Sequence, residues 1–393
     1  MTLLEEIGYG LDALVLFRQL RCDPVLTALS RLCHQKSDET AENIRAYSDM
    51  TASLYAKTDD LTEYIEQLVL SSENDYVQRI GAEESVPELL TDCLYTELKL
   101  LGKVAQLTST VLQAQLHLPI SLPGWNTHAV DLSGSYAKRL KEVHRHGYGI
   151  YANYHMFTLD DSGAVISVCN PGPIRLCNMV GYQRERQIVI ENTKALLRGR
   201  YASNVLLSGD AGTGKSATIK AIANDYQKEG LRLIELNKEQ LRFIPKLMNR
   251  LCKNPLKFIL FIDDLTFSEN DPNFGTLKAI LEGSTTARVK NTVIYATSNR
   301  RHLIKETFDD GRDKHHGDTV QERISLSARF GITITFTRPE KKLYLEIVHT
   351  LAKEAGLTLS EAELDARAEQ FALQKIGRSA RTARQFVDQM MNC

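Results

Sequence analysis

The sequence predicts an α/β fold: a five-stranded parallel sheet, a helical lid after it and a mainly helical region before it. Three observations carry that expectation. From Tyr182 onward, apolar runs of strand length alternate with amphipathic stretches, the pattern of a parallel sheet flanked by helices. One strand–helix junction reads Gly209-Asp-Ala-Gly-Thr-Gly-Lys215-Ser216, which fits G-x-x-x-x-G-K-[ST]. After Pro339 only helical periodicity remains.

Composition sets outer bounds. A chain of 393 residues, 43% hydrophobic and 25% charged, has room for two or three ordinary globular domains. No stretch approaches the roughly 20 apolar residues that span a bilayer, so no membrane partner is expected. The acidic start, Met1-Thr-Leu-Leu-Glu-Glu, is unlike a signal peptide. Seven scattered cysteines without a C-x-x-C pair suggest reduced thiols and a cytoplasmic setting, not a disulfide frame or a zinc site. The net charge of −1 hides an asymmetry: residues 1–146 carry 21 acidic and 13 basic side chains, residues 147–393 carry 28 and 35. That contrast supports a domain boundary between them.

The first ~115 residues read as helices. Leu11, Leu14, Val15, Leu16, Leu20, Leu26 and Leu29 recur at helical spacing, Asp59-Asp60 opens a second run, and Ser85-Val-Pro-Glu88 resembles a capping box. Pro119, Pro123, Gly124 and the lone Trp125 mark a connection. Residues 148–169 read as a β-hairpin around Asp160-Asp161-Ser162-Gly163. The expected divisions are therefore a helical N-terminal domain (1–146), a β-hairpin connector (147–177), a nucleotide-binding core (178–338) and a helical lid (339–393). Core strands are expected at 204–208, 231–236, 257–262, 291–297 and 331–336. Core helices are expected at 214–229, 238–252 and 272–282, the last ending at Gly283. Lid helices are expected at 339–354, 361–374 and 379–391.

The chemistry follows from strand ends. Gly209 and Gly214 let the backbone curl and aim N–H groups at phosphate oxygens, while Lys215 supplies a cation and the Ser216 hydroxyl a Mg²⁺ ligand. With Gly212, Thr213 and Ala217 these form the expected ATP-binding loop, seated at a helix N-terminus where the dipole favours anions. Lys257 to Ile262 leads into Asp263-Asp264: Asp263 is expected at the Mg²⁺ site and Asp264 at the attacking water. The strand 291–297 runs on to Asn299, a candidate γ-phosphate sensor. Arg329, before the last strand, suits a charge-stabilising finger for a neighbouring subunit's ATP, which requires a ring or filament of copies. Arg378 is the first choice for a lid residue reaching the nucleotide, with Arg381 second. The polar stretch Arg300 to Glu322 reads chiefly as a solvated loop, with contact to a nucleic acid or other polyanionic partner as the second reading.

These elements in this order resemble the AAA+ ATPases over roughly residues 178–393, and Gly181-Tyr182 looks like that family's adenine-side segment. More narrowly, Leu206 to Ser216, Asp263-Asp264-Leu-Thr-Phe267, Leu277 to Gly283, Tyr295 to Leu303 and Gly377 to Phe386 resemble domain-of-unknown-function family 815. The resemblance implies an ATP-hydrolysing AAA+ fold with Mg²⁺, and no known substrate. The string Ser327-Ala-Arg-Phe-Gly331 is similar to one in bacterial replication initiators, which places an arginine finger there. One departure stands out: most AAA+ proteins carry Glu where this chain has Asp264. The expectation is an ATPase that remodels or loads a macromolecule selected by the N-terminal domain. The alternative is an ATP-gated oligomeric scaffold with little hydrolysis.

Overall fold

The computed structural model describes residues 2–34, 40–267, 271–282, 289–299, 328–375 and 377–392. It divides into two compact units, Met1–Asn153 with Lys253–Pro255, and Tyr154–Cys252 with Leu256–Cys393.

The first unit is helical among its described residues. Its helices are α1 Leu3–Asp12, α2 Pro24–His34, α3 Thr40–Tyr55, α4 Leu61–Ser71, α5 Asp75–Gly81, α6 Glu88–Ala105, α7 Ser109–Gln115, α8 Leu132–Lys141, α9 Val143–His146 and α10 Ile150–Asn153. Capping explains several starts. Thr2 and Glu5 form a reciprocal capping box, and the Asp60 carboxylate accepts from the Glu63 N–H. At Ser85-Val-Pro-Glu88 the outcome differs from the capping-box expectation: Pro87, in extended conformation, is itself the N-cap, and no side chain caps α6. Ile7, Leu29, Met50, Ile65 and Leu101 meet in one apolar core, which Trp125 joins while donating its indole N–H to the Leu107 carbonyl.

The second unit is built on a seven-stranded mixed sheet in the order β2-β1-β4-β5-β6-β3-β7. The strands are β1 Met156–Leu159, β2 Val165–Ser167, β3 Val205–Gly209, β4 Leu231–Leu236, β5 Lys257–Ile262, β6 Thr292–Ser298 and β7 Ile332–Phe336. The five expected strands are all present and mutually parallel. The expected strand count is corrected from five to seven because the connector hairpin does not stand apart. β1 pairs in parallel with β4, and only β2 runs antiparallel. The hairpin also begins later than expected: residues 150–153 form the short helix α10, and pairing starts only at Met156. Its turn is held by the Asp160 carboxylate, which accepts from the N–H groups of Ser162 and Ala164.

Helix α11 Gln183–Leu197 packs against β7 and α12 Lys215–Tyr226 against β4 and β6, and α13 Ile244–Leu251 and α14 Pro272–Glu282 complete the core. The stretch expected as one helix from 238 splits. Asn237 and Gln240 cap a 3-10 turn, Lys238–Phe243, before Pro245 sits in the first turn of α13. The lid helices are α15 Lys341–Glu354, α16 Glu361–Gln374 and α17 Ala380–Met391, around their own core of Tyr344, Val348, Ala368 and Val387. Gly283 and the stretch Arg300 to Glu322 lie outside the described residues. Among the described residues, no helix is long and apolar enough to cross a membrane.

Candidate nucleotide site

Parallel strands deliver their carboxyl ends to one edge of the sheet, and register decides who meets there. β3 lies between β6 and β7, with Ser208 opposite Ser298 and Gly209 opposite Phe336. β5 pairs with β6 so that Ile262 faces Ala296, which brings the next residues, Asp263 and Thr297, side by side. A cavity of about 690 Å³ opens at this edge between the sheet and the lid.

The phosphate loop needs glycine at two positions for distinct reasons. Gly209 has φ of 125°, and a Cβ there would lie 2.0 Å from the Phe336 carbonyl oxygen. Gly214 has φ of 92° and is the N-cap of α12, so the loop turns into the helix through a left-handed residue. Gly212, Thr213, Gly214, Lys215, Ser216 and Ala217 all line the cavity. Gly209 does not, but its carbonyl accepts from Lys215 Nζ at 2.8 Å. The same ammonium also donates to the Asp210 carbonyl at 2.8 Å and to Asn299 Oδ1 at 3.1 Å. Burial holds the Lys215 pKa below the ordinary lysine value, against the pull of Asp210, Asp264 and Asp263. A buried cation at the foot of a curled loop is suited to an anion.

Asp263 is the hub of the carboxylate side. Its Oδ1 accepts from Ser216 Oγ at 2.6 Å, Thr297 Oγ1 at 2.5 Å and the Asp264 N–H at 3.1 Å. Those three donors all fall on Oδ1. A carboxylate with its second oxygen left for another partner, beside a serine hydroxyl, is an oxygen donor set that fits a hard divalent cation. Asp264 has φ of 50°, rare for a residue with a Cβ, and its N–H also donates to Thr297 Oγ1 at 3.0 Å. Its Oδ1 accepts from Asn299 Nδ2 at 2.7 Å. The Asn299 amide thus bridges Lys215 and Asp264.

The two arginines singled out from the sequence, Arg378 and Arg329, both pair with glutamates of the same chain. Arg378 forms a two-bond pair with Glu369, at 2.9 and 2.6 Å, and does not line the cavity. Arg381 and Arg384 do line it. The Arg381 N–H donates to the Gly212 carbonyl at 3.2 Å, so the lid touches the phosphate loop through backbone. Arg329 lies outside the cavity and pairs with Glu282, Nε to Oε1 at 2.6 Å.

Sequence reasoning missed Thr297 and Asp210. The signal for Thr297 was present: it is a hydroxyl residue directly after the apolar run Val293 to Ala296, inside a fully buried strand where its Oγ1 needs a partner. Asp210 Oδ2 accepts from the Arg338 N–H at 3.0 Å and joins the loop to the strand end after β7. On the far side, Tyr182 is left-handed at φ 51° and donates its hydroxyl to the Thr337 carbonyl at 2.6 Å. Burial pushes its pKa up to about 12, with Glu185 and Asp210 adding to the shift.

The model of the family described as Protein of unknown function (DUF815) matches residues 152–393. The chain belongs to that family. Among solved structures it is similar to the Thermotoga maritima RuvB Holliday junction branch migration motor, at 16% identity and TM-score 0.40, over 56% of this chain and 65% of that one. It is also similar to the replication initiator DnaA bound to AMPPCP and single-stranded DNA, at 19% identity and TM-score 0.39, over 55% and 64%. The chain thus spans less than two thirds of either neighbour's length. Glycine loop, two-carboxylate strand end and a three-helix C-terminal bundle stand together on one α/β unit with a P-loop.

Proposed function

We propose that this chain binds ATP with Mg²⁺ between core and lid and hydrolyses it to remodel or load a macromolecular partner. The observation that carries the reading is the convergence on one cavity of Lys215, Ser216, Asp263, Asp264 and Asn299, with Thr297 holding Asp263 from behind. Bound Mg²⁺ would neutralise charge on the β- and γ-phosphates, and Ser216 with Asp263 would hold it. Lys215 exchanges its loop carbonyls for phosphate oxygens. Asp264 orients water and takes its proton, and Asn299 reports the γ-phosphate to Asp264. On the lid, Arg381 is the better-supported nucleotide contact, since Arg378 is engaged by Glu369. Arg329 acts on a neighbouring copy's ATP once freed from Glu282, which calls for a ring or filament. The N-terminal unit selects the partner, and the setting is cytoplasmic.

One observation favours a second reading, an ATP-gated scaffold with little hydrolysis. Asp264 is one methylene shorter than Glu, and its Oδ1 is already taken by Asn299. ATP turnover per subunit, measured over a wide range of protein concentration, separates the two. Turnover that rises with concentration and is lost in Asp264→Asn supports hydrolysis completed between copies. ATP binding that drives assembly without turnover supports the scaffold. Absence of ATP binding refutes both.

A further inference from the structure

One wall of the cavity is a strap, residues 172–179, that belongs to no strand and whose Met179 end lies beside Gly214 of the phosphate loop. Pro173, Ile174 and Met179 of the strap line the cavity. The strap is held by the far end of α12, the helix whose N-terminus carries the phosphate loop. Asn224 is 6% exposed, and its Nδ2 donates to the Gly172 carbonyl at 3.1 Å and the Ile174 carbonyl at 2.7 Å. Two carbonyl acceptors leave Oδ1 as the remaining amide end, and it accepts from His155 Nε2 at 2.8 Å. The next residue, Asp225, accepts from the Leu176 N–H at 3.0 Å and pairs with Arg175. The strap's other end is fixed by Arg186, 7% exposed, which donates to the Met179 carbonyl at 2.8 Å.

We infer that Asn224 and Asp225 are positioning residues for the base of a nucleoside triphosphate. Helix α12 is a rigid spacer with the phosphate loop at one end and the Gly172–Leu176 part of the strap at the other. The inference rests on the ATP-binding reading above and deepens it. The strap lines the cavity with apolar Pro173, Ile174 and Met179 beside one polar residue, Asn178, a mainly apolar face suited to a planar base more than to a bare polyphosphate chain. Neither Asn224 nor Asp225 touches the phosphate loop's cavity side, so any effect on a nucleotide passes through the strap.

The test compares dissociation constants for Mg·ATP and Mg·tripolyphosphate by calorimetry on the full chain, Asn224→Ala and Asp225→Ala. Asn224→Ala loses both strap bonds, so ATP weakens about tenfold while tripolyphosphate stays within about twofold. Asp225→Ala, at a partly exposed position, shows the same selective loss and guards against a folding defect in the buried variant. Equal weakening of both ligands, or unchanged ATP affinity in both variants, overturns the inference. So does a wild type that binds tripolyphosphate as tightly as ATP. A wild type that binds neither ligand overturns the ATP-binding reading itself.

Discussion

Thr297→Val is a near-isosteric change that removes one hydroxyl from the centre of the site. Thr297 is 1% exposed, donates to Asp263 Oδ1 at 2.5 Å and accepts from the Asp264 N–H at 3.0 Å. A hydrogen bond to a charged acceptor contributes about 1.5–3 kcal/mol. Asp263 Oδ1 keeps Ser216 and the Asp264 N–H as donors, so the lower end applies, about 1.5 kcal/mol. At 1.36 kcal/mol per factor of ten, that is roughly a tenfold loss in kcat/KM. It should appear together with a higher Mg²⁺ concentration for half-maximal turnover. The Asp264 N–H retains Asp263 Oδ1 at 3.1 Å, so the protein still folds, with a melting temperature lower by roughly 3–6 °C. The assay is steady-state ATP hydrolysis across a Mg²⁺ titration, with thermal melting in parallel. Wild-type kcat/KM and an unshifted Mg²⁺ midpoint in a folded Thr297→Val protein would refute the hub role of Asp263.

Lys215→Met abolishes ATP binding but melts at or above the wild-type temperature. Burial depresses the lysine's pKa in the native state, so its charge costs stability below that depressed value, and the cost fades as pH rises through the ordinary lysine range. A lower melting temperature for the variant at neutral pH contradicts this. Arg381→Ala weakens ATP binding more than Arg378→Ala, by equilibrium titration. Arg378→Ala costs at most about 1 kcal/mol of stability, the scale of a partly exposed pair. Arg378 holds the Glu369 pKa down, so that contribution is present above the ordinary carboxylate range and is lost as pH falls through the lowered value. A flat acid limb in the wild type argues against it. In the first unit, Glu97→Ala strips the acceptor from the N–H groups of Val15, Leu16 and Phe17, bound at 2.6, 3.2 and 3.0 Å. Its carboxylate is buried, so the loss is on the order of 3 kcal/mol, read by denaturant unfolding.

Local pattern made much of the candidate site legible. Gly209 to Ser216 declares its own conformation, because left-handed turns and a helix N-terminus need those residues in that spacing. Strands β5 and β6 carry apolar runs, Phe258 to Ile262 and Val293 to Ala296, because both faces are covered, and each leads into polar residues that parallel pairing must bring together. The hairpin was legible as a hairpin from its Asp160–Gly163 turn. Nothing local said that β1 would extend the sheet at β4, since Met156–Leu233 pairing joins residues far apart in the chain.

The sequence by itself determined the phosphate loop, the carboxylate pair, the five parallel strands and a helical lid. Each is encoded within a few neighbouring residues by backbone geometry and hydrophobic period. The tertiary structure alone decided which arginine faces the cavity, and the reason is helical phase. Ser379 caps α17, so Arg378 lies before the helix and turns to Glu369, while Arg381 falls in the first turn, with its backbone on Gly212 and its side chain on the cavity. It also decided that Thr297 and Asp263 share a proton donor and acceptor. That contact is set by register between two strands, which no stretch of a single strand specifies.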